Sequence, residues 1–290
     1  MKGRKQYWLV STEHLENRLW VRSDEDFKVG MNYVAVQAGT ADISVLAFIL
    51  MSNHVHFVLE GSMDDALVFI NGFKKRYAQY VQNTYGHKEL LRRNAVDIRG
   101  LPTENEAVER AIAYVHMNCV AANICAHPSQ YEWGSGNVLF NRSREAGIPV
   151  SSFSHRKLAS IMHCTLNIPG DWVLGTEGFI LPSSYLSIET SEAIFRTPKR
   201  MNYFLFSSSK ARKIRETEDN LPSFRDQNVA ASIPDICRTM FGSNSLKELS
   251  STQVAEVLRQ IRYRFSSNIN QIARVTGLSY QQAAALLDQM

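Results

Sequence analysis

The sequence predicts an α+β fold over residues 1–140 and a mainly helical region over residues 211–290 that ends in a helix-turn-helix. Three observations lead there. ISVLAFILM, residues 43–51, is apolar almost without interruption, as expected of a strand covered on both faces. Phe69, Phe73, Tyr77 and Val81 recur at every fourth position and draw one apolar stripe along a helix. Residues 211–290 keep a helical pattern to NINQIARVTGLSYQQAAALLDQM at the end.

Taken in order, residues 1–61 read as strand, helix, strand. QYWLVST supplies the first strand and NRLWV a return toward it. Ser23 followed by Asp24, Glu25 and Asp26 suits a helix start, where unpaired N–H groups and the positive end of the dipole favour such side chains. The apolar run then passes into SNHVHFVLEG as a central strand. After Gly61, Asp64 and Asp65 open the helix with the aromatic stripe, and Gly86 ends it. Residues 87–101 are basic and irregular, and a further helix is expected from about Thr103, with Glu104 and Glu106 in its first turn, through AIAYVHMNCVAANICA.

From about residue 141 Ser, Gly and Pro scatter through the chain, which places a boundary near 140. Residues 141–210 read as an accessory segment and basic linker, in which Arg196, Lys199 and Arg200 interleave with Phe195, Tyr203, Phe204 and Phe206. Residues 211–290 read as a helical DNA-binding domain. In its tail Ile272 and Ala273 pack inward, Gly277 permits the turn, Ser279 caps, and Tyr280 to Leu287 form the presented helix. A small helical bundle for protein contacts is the competing reading of that tail.

Hydrophobic residues make up 44% of the 290 and charged residues 21%, the balance of an ordinary globular chain. No apolar run reaches the roughly 18 residues that span a bilayer, and MKGRKQYWLV lacks a signal-like core, so no membrane partner and a cytoplasmic location are expected. Cys119, Cys125, Cys164 and Cys237 form no CxxC pair, so neither structural zinc nor a disulfide framework is expected. Net charge is only +4, and any affinity for nucleic acid must come from local patches.

Two spots carry chemistry. His54 and His56 flank Val55, and alternate residues of a strand point to the same face, so both imidazoles project together. An HxH pair alone is equally consistent with two polar residues at the open end of a strand. On the later helix Val108, Ile112, Val115 and Cys119 define the apolar face, Tyr114 lies outside it, and Asn118 follows one turn later on the same flank. A boundary tyrosine beside a polar residue is the bland alternative. Together, two imidazoles and an amide oxygen could hold a divalent metal ion beside a phenol; an N/O donor set without thiolate suits Mg or Mn. Such a device lets a phenolate attack a phosphodiester and retain it as phosphotyrosine.

In order and spacing, LMSNHVHFVLEG, FKKRYAQYVQNTYG, AYVHMNCVAANI and PSQYEWGS resemble elements of the HUH-type single-tyrosine transposases of the insertion-sequence-200 class, specifically the REP-associated tyrosine transposases, over roughly residues 7–140. The resemblance implies a ferredoxin-like antiparallel sheet with helices on one face, the HUH nuclease domain. It also implies His54, His56 and Asn118 as metal ligands, Tyr114 as the nucleophile, and a 5′-phosphotyrosine with a free 3′-OH on single-stranded or palindromic hairpin DNA. Asn17 and Arg18 fall in the counterpart of the family's "GNR" element, with Glu16 at its glycine. Cys119 stands where the family usually has Pro, and Gly134 where "WSS" has its first Ser.

Lys74, Lys75, Arg76, Arg92 and Arg93, with Asn17 and Arg18, are the candidate DNA contacts; a solvated basic face is the plain alternative. Expected partners are single-stranded or hairpin DNA, with duplex DNA at the C-terminal domain and a homodimer left open. The competing function is a catalytically silent, transposase-derived DNA-binding or regulatory protein. A mononuclear metal hydrolase is less favoured, because HxHxDH and HExxH are absent.

Overall fold

The computed structural model describes residues 6–12, 19–86, 96–122, 124–143, 146–164, 168–207, 224–265 and 267–288. Strand β1 (Gln6–Ser11), helix α1 (Asp24–Thr40), strands β2 (Ser44–Leu50) and β3 (Val55–Gly61), helix α2 (Met63–Tyr85) and strand β4 (Asp97–Leu101) follow one another along the chain. The strands lie in the order β2-β3-β1-β4, every neighbour antiparallel. β3 inserts between β1 and β2, so the β1-α1-β2 unit is split.

Local chemistry fixes the helix ends where the sequence placed them. Ser23 Oγ accepts from Asp26 N at 3.2 Å, while the Asp26 carboxylate accepts from Ser23 N at 3.1 Å, a reciprocal cap. Asp26 is fully buried because its carboxylate also accepts from the hydroxyls of Tyr80 and Tyr85 on α2, each at 2.9 Å. One carboxylate therefore starts α1 and ties it to α2. Ser62 caps α2, and Gly86 closes it at φ 72°, a left-handed conformation that a residue with a Cβ rarely adopts.

β2 and β3 are buried along nearly their whole length, so each face of the sheet needs a covering layer. On one face Phe57 meets Phe69 and Phe73 of α2 edge-on, at centroid distances of 5.1 and 5.8 Å. On the other, helix α3 (Ala107–His116) packs against β2 and β3 and sets Tyr114 on His56. Helices thus lie on both faces, a correction to the one-faced sheet implied by the family resemblance. Its cause is that the alternate side chains Ile49, His56 and Val58 are as buried as Phe48 and Phe57.

α3 also departs from expectation at both ends. It starts at Ala107 rather than near Thr103, because Asn105 and Glu106 adopt φ of 60° and 59°. Glu106 instead uses its carboxylate on Arg110 at 2.9 Å and Arg200 at 3.1 Å. The helix breaks at Met117, before the short α4 (Asn118–Ala121). The carbonyls released there are taken by side chains: Asn118 Nδ2 donates to Tyr114 O (2.9 Å) and Val115 O (3.2 Å), and Cys119 Sγ to His116 O (3.3 Å).

The outer edge of β2 is closed by residues 133–135: Leu50 N donates to Trp133 O at 2.8 Å and Ser135 N to Phe48 O at 3.0 Å. Gly134 sits so close that a Cβ would lie 2.9 Å from Phe48 O, which accounts for glycine at this position. Strands β5 (Gly147–Pro149) and β6 (Val173–Gly175) and helices α5 (His155–Met162), α6 (Ile188–Phe195) and α7 (Pro198–Ser207) follow. Their apolar side chains join the cluster that begins at Val10 and runs to Leu205. Helices α8 (Asp226–Phe241), α9 (Ser251–Phe265), α10 (Ile269–Thr276) and α11 (Tyr280–Leu287) enclose a second cluster from Val229 to Ala283. Gly277, at φ 73°, and the Ser279 cap separate α10 from α11. No described helix is long and apolar enough to cross a membrane.

Candidate functional site

His56 is held in the middle of the sheet, opposite Ser11 on β1 and Ile49 on β2, and is fully buried. His54 stands just before β3, in a turn closed by Met51 N donating to His54 O at 2.8 Å, with its Nδ1 2.9 Å from Asn53 Oδ1. Thr12 extends the β1 pairing past Ser11: Thr12 N donates to Val55 O at 3.1 Å, and Thr12 Oγ1 accepts from Val55 N at 2.9 Å. The residue between the two histidines is therefore clamped on both of its backbone groups.

The His54 and His56 rings lie 4.9 Å apart, centroid to centroid, at 74°. The His56 and Tyr114 rings lie 5.3 Å apart at 79°. Residues separated by half the sheet domain in sequence thus meet on one face. Asn118 is buried beside the break in α3, and its Nδ2 donors are turned to the Tyr114 and Val115 carbonyls. Among the described residues no three His, Cys, Asp or Glu side chains gather about one point. The groups this face brings together are the two imidazoles and the Tyr114 phenol, with Asn118 hydrogen-bonded to the Tyr114 carbonyl.

His116 was missed by the sequence reading. It lies four residues after Ile112 and three before Cys119, on the inner face of the helix, and that spacing was the available signal. It is buried, with Nε2 2.9 Å from Ser135 Oγ. Ser135 Oγ accepts from Phe48 N at 2.8 Å and donates to Phe48 O at 3.1 Å, so its remaining lone pair accepts a hydrogen bond from His116 Nε2–H. The tyrosine helix is thereby tied to the edge of β2.

Burial, with a smaller contribution from His127, pushes the His116 imidazole down to about 4. The neutral ring is the folded form, and the unfolded chain, near 6.5, binds the extra proton first. Stability from this group is fully present above pH 6.5 and declines as pH falls toward 4. Between pH 7.5 and 4.5 the loss is expected to be about 2–3 kcal/mol. Urea unfolding of the native chain and His116→Gln across that range checks it; an equal pH dependence in both would exclude His116 as the source.

The outer side of α3 is held by α7. Arg200 bonds Glu106 and Glu109, each at 3.1 Å, and stands 5.1 Å over the Phe204 ring. Of the basic residues singled out, Lys74 is buried and its ammonium pKa is lowered by burial, Lys75 is exposed, and Arg76 is half-buried. All three belong to α2, which covers the sheet face away from Tyr114. Arg76 lines a cavity of about 460 Å³ with Tyr33, Tyr80 and His163. Asn17, Arg18, Arg92 and Arg93 lie outside the described residues.

No protein-family model and no curated protein matches the chain. Among solved structures, that of a REP-associated tyrosine transposase bound to a REP hairpin is similar at a TM-score of 0.38 and 12% identity, covering 47% of this chain and 79% of that one.

Proposed function

We propose that this chain is a metal-dependent single-tyrosine DNA strand transferase that nicks and rejoins single-stranded or hairpin DNA. The observation that carries the reading is the convergence of His54, His56 and Tyr114, with ring separations of 4.9 and 5.3 Å, on a split antiparallel sheet of ferredoxin-like order. The motif resemblance over residues 7–140 supports the same assignment.

His54, His56 and Asn118 Oδ1 would hold a divalent cation, Mg or Mn, and the two rings are close enough for one nitrogen of each to share an ion. When bound, the cation supplies charge neutralisation and polarisation at the scissile phosphate. Tyr114 supplies the nucleophile. Its Oη gives up a proton and forms the bond to phosphorus as the bond to the 3′ oxygen breaks. That oxygen takes up a proton and leaves as a free 3′-OH, while the downstream strand stays attached through a 5′-phosphotyrosine. A 3′-OH attacking the same phosphorus reverses the step, and no nucleotide hydrolysis is required.

Lys75 and Arg76, with Asn17, Arg18, Arg92 and Arg93, are the proposed phosphate contacts. Lys74 is buried, and α2 covers the side of the sheet opposite Tyr114, so the contacts on α2 would serve DNA beyond the Tyr114 face. α10 and α11 are the proposed helix-turn-helix for duplex DNA. The test uses hairpin and single-stranded oligonucleotides labelled at either end, with Mn or Mg. The 3′ label is expected to become covalently attached to protein, and the 5′ label to be released on a strand ending in 3′-OH. Binding with neither label transferred under either metal would favour the silent, regulatory alternative.

A further inference from the structure

The tip of the β2–β3 hairpin, Met51 to His54, lies between the two strands, yet Ser52 is buried. Its partners explain this. The Ser52 carbonyl accepts from Trp20 N and Val21 N, each at 3.1 Å, and its hydroxyl donates to the Asp226 carboxylate. Asp226 opens α8, the first helix of the C-terminal cluster, and is 4% exposed.

The same carboxylate accepts from Gln271 Nε2 at 3.0 Å and from Arg274 of α10 through Nε at 3.0 Å and Nη2 at 3.2 Å. Next to it Gln227 Nε2 donates to Val21 O at 2.9 Å. The second apolar cluster, Val229 to Ala283, includes neither Asp226 nor Arg274. The Asp226 carboxylate does two things at once: it ties α8 to α10 through Gln271 and Arg274, and it reaches across to the Ser52 hydroxyl. A guanidinium gripping a buried carboxylate from two sides holds direction as well as distance, and here it is aimed at a hydroxyl two residues before His54.

We propose that Asp226 is a positioning residue for the histidine pair: through Ser52, the docked C-terminal helices set where His54 stands relative to His56. The proposal rests on the reading of that pair as the cation-holding part of the site. Arg274 belongs to α10, so the geometry of the histidines and the seating of the proposed duplex-binding helices share one carboxylate.

The test uses the full chain with Mn²⁺ as the probe. Ser52→Ala removes only the hydroxyl and leaves the Asp226–Arg274 pair in place, Asp226→Ala removes the carboxylate that Ser52, Gln271 and Arg274 share while the Gln227–Val21 bond remains, and Asp226→Asn keeps an acceptor at the same point. Groups hydrogen-bonded directly to a metal ligand typically change metal affinity by about 10–100-fold, and a hydroxyl that acts on the backbone two residues before the ligand is placed at the lower end of that range. Mn²⁺ affinity is accordingly expected to fall about tenfold in Ser52→Ala and further in Asp226→Ala, with partial recovery in Asp226→Asn. The side-chain NMR signals of His54 should shift in Ser52→Ala while the thermal midpoint stays near native. An unmoved His54 signal together with Mn²⁺ affinity within twofold of native, in folded Ser52→Ala, would overturn the proposal. If the native chain bound no Mn²⁺, or bound it equally in His54→Gln, the metal reading would fail by itself, and the His54 signal in Ser52→Ala would still decide the positioning claim.

Discussion

Tyr114→Phe is expected to lower the yield of covalent protein–DNA adduct by about 10⁴-fold or more, the scale on which a lone nucleophile is lost from a catalytic unit. The substitution is conservative for the fold. Tyr114 is half-buried, and its ring packs against His56 at 5.3 Å, a contact that phenylalanine keeps. The Asn118 side chain caps the Tyr114 carbonyl, not its phenol, so the break in α3 is untouched. Stability and the affinity for hairpin DNA should therefore stay near native, and the lost step should be chemical. Quantifying denaturation-resistant adduct at matched DNA occupancy checks this. Adduct formed by Tyr114→Phe at the native rate would remove the tyrosine from the mechanism.

Asp26→Ala is expected to cost about 3–5 kcal/mol of folding free energy. Its reciprocal cap with Ser23 contributes about 1 kcal/mol of that. The remainder comes from the Tyr80 and Tyr85 hydroxyls and the Arg22 N–H, which donate to Asp26 at 2.9, 2.9 and 2.7 Å and would lose a charged acceptor. Burial first, and the carboxylate second, raise both phenol pKa values, so the tyrosines remain donors at neutral pH. Asp26→Asn, which keeps one acceptor oxygen, should lose less. Denaturant unfolding measures the difference, and a loss under about 1 kcal/mol in Asp26→Ala would mean that the tyrosines find other partners.

The Asp26 case separates two kinds of information in the chain. Its capping role was legible because donor and acceptor lie three residues apart, and a cap depends on little beyond its own turn. Its tyrosine partners lie on another helix, and nothing near Asp26 in sequence specifies them. The site divides in the same way. Period-two spacing put His54 and His56 on one face, and one-turn spacing put Asn118 beside Tyr114. The motif order suggested that the two pairs belong together.

The sequence by itself determined that a strand and a capped helix precede the apolar run, the stripe and ends of α2, the chemical groups available for a site, and the capped turn between α10 and α11. These are set by interactions within about four residues, where propensity, capping and periodicity act. Residues 43–61 read in the sequence as one run with a central strand, whereas the chain turns at residues 51–54 and puts β2 at the sheet edge and β3 inside. Only the tertiary structure decided that α3 covers the second face of the sheet, that it breaks at Met117 and turns the Asn118 amide to its own carbonyls, and that His116 bolts it to β2. It also brought Asp226 to the hairpin tip beside His54. Those features follow from burying both faces of an apolar sheet and finding partners for every polar group buried with them, requirements that exist only once distant segments have closed together.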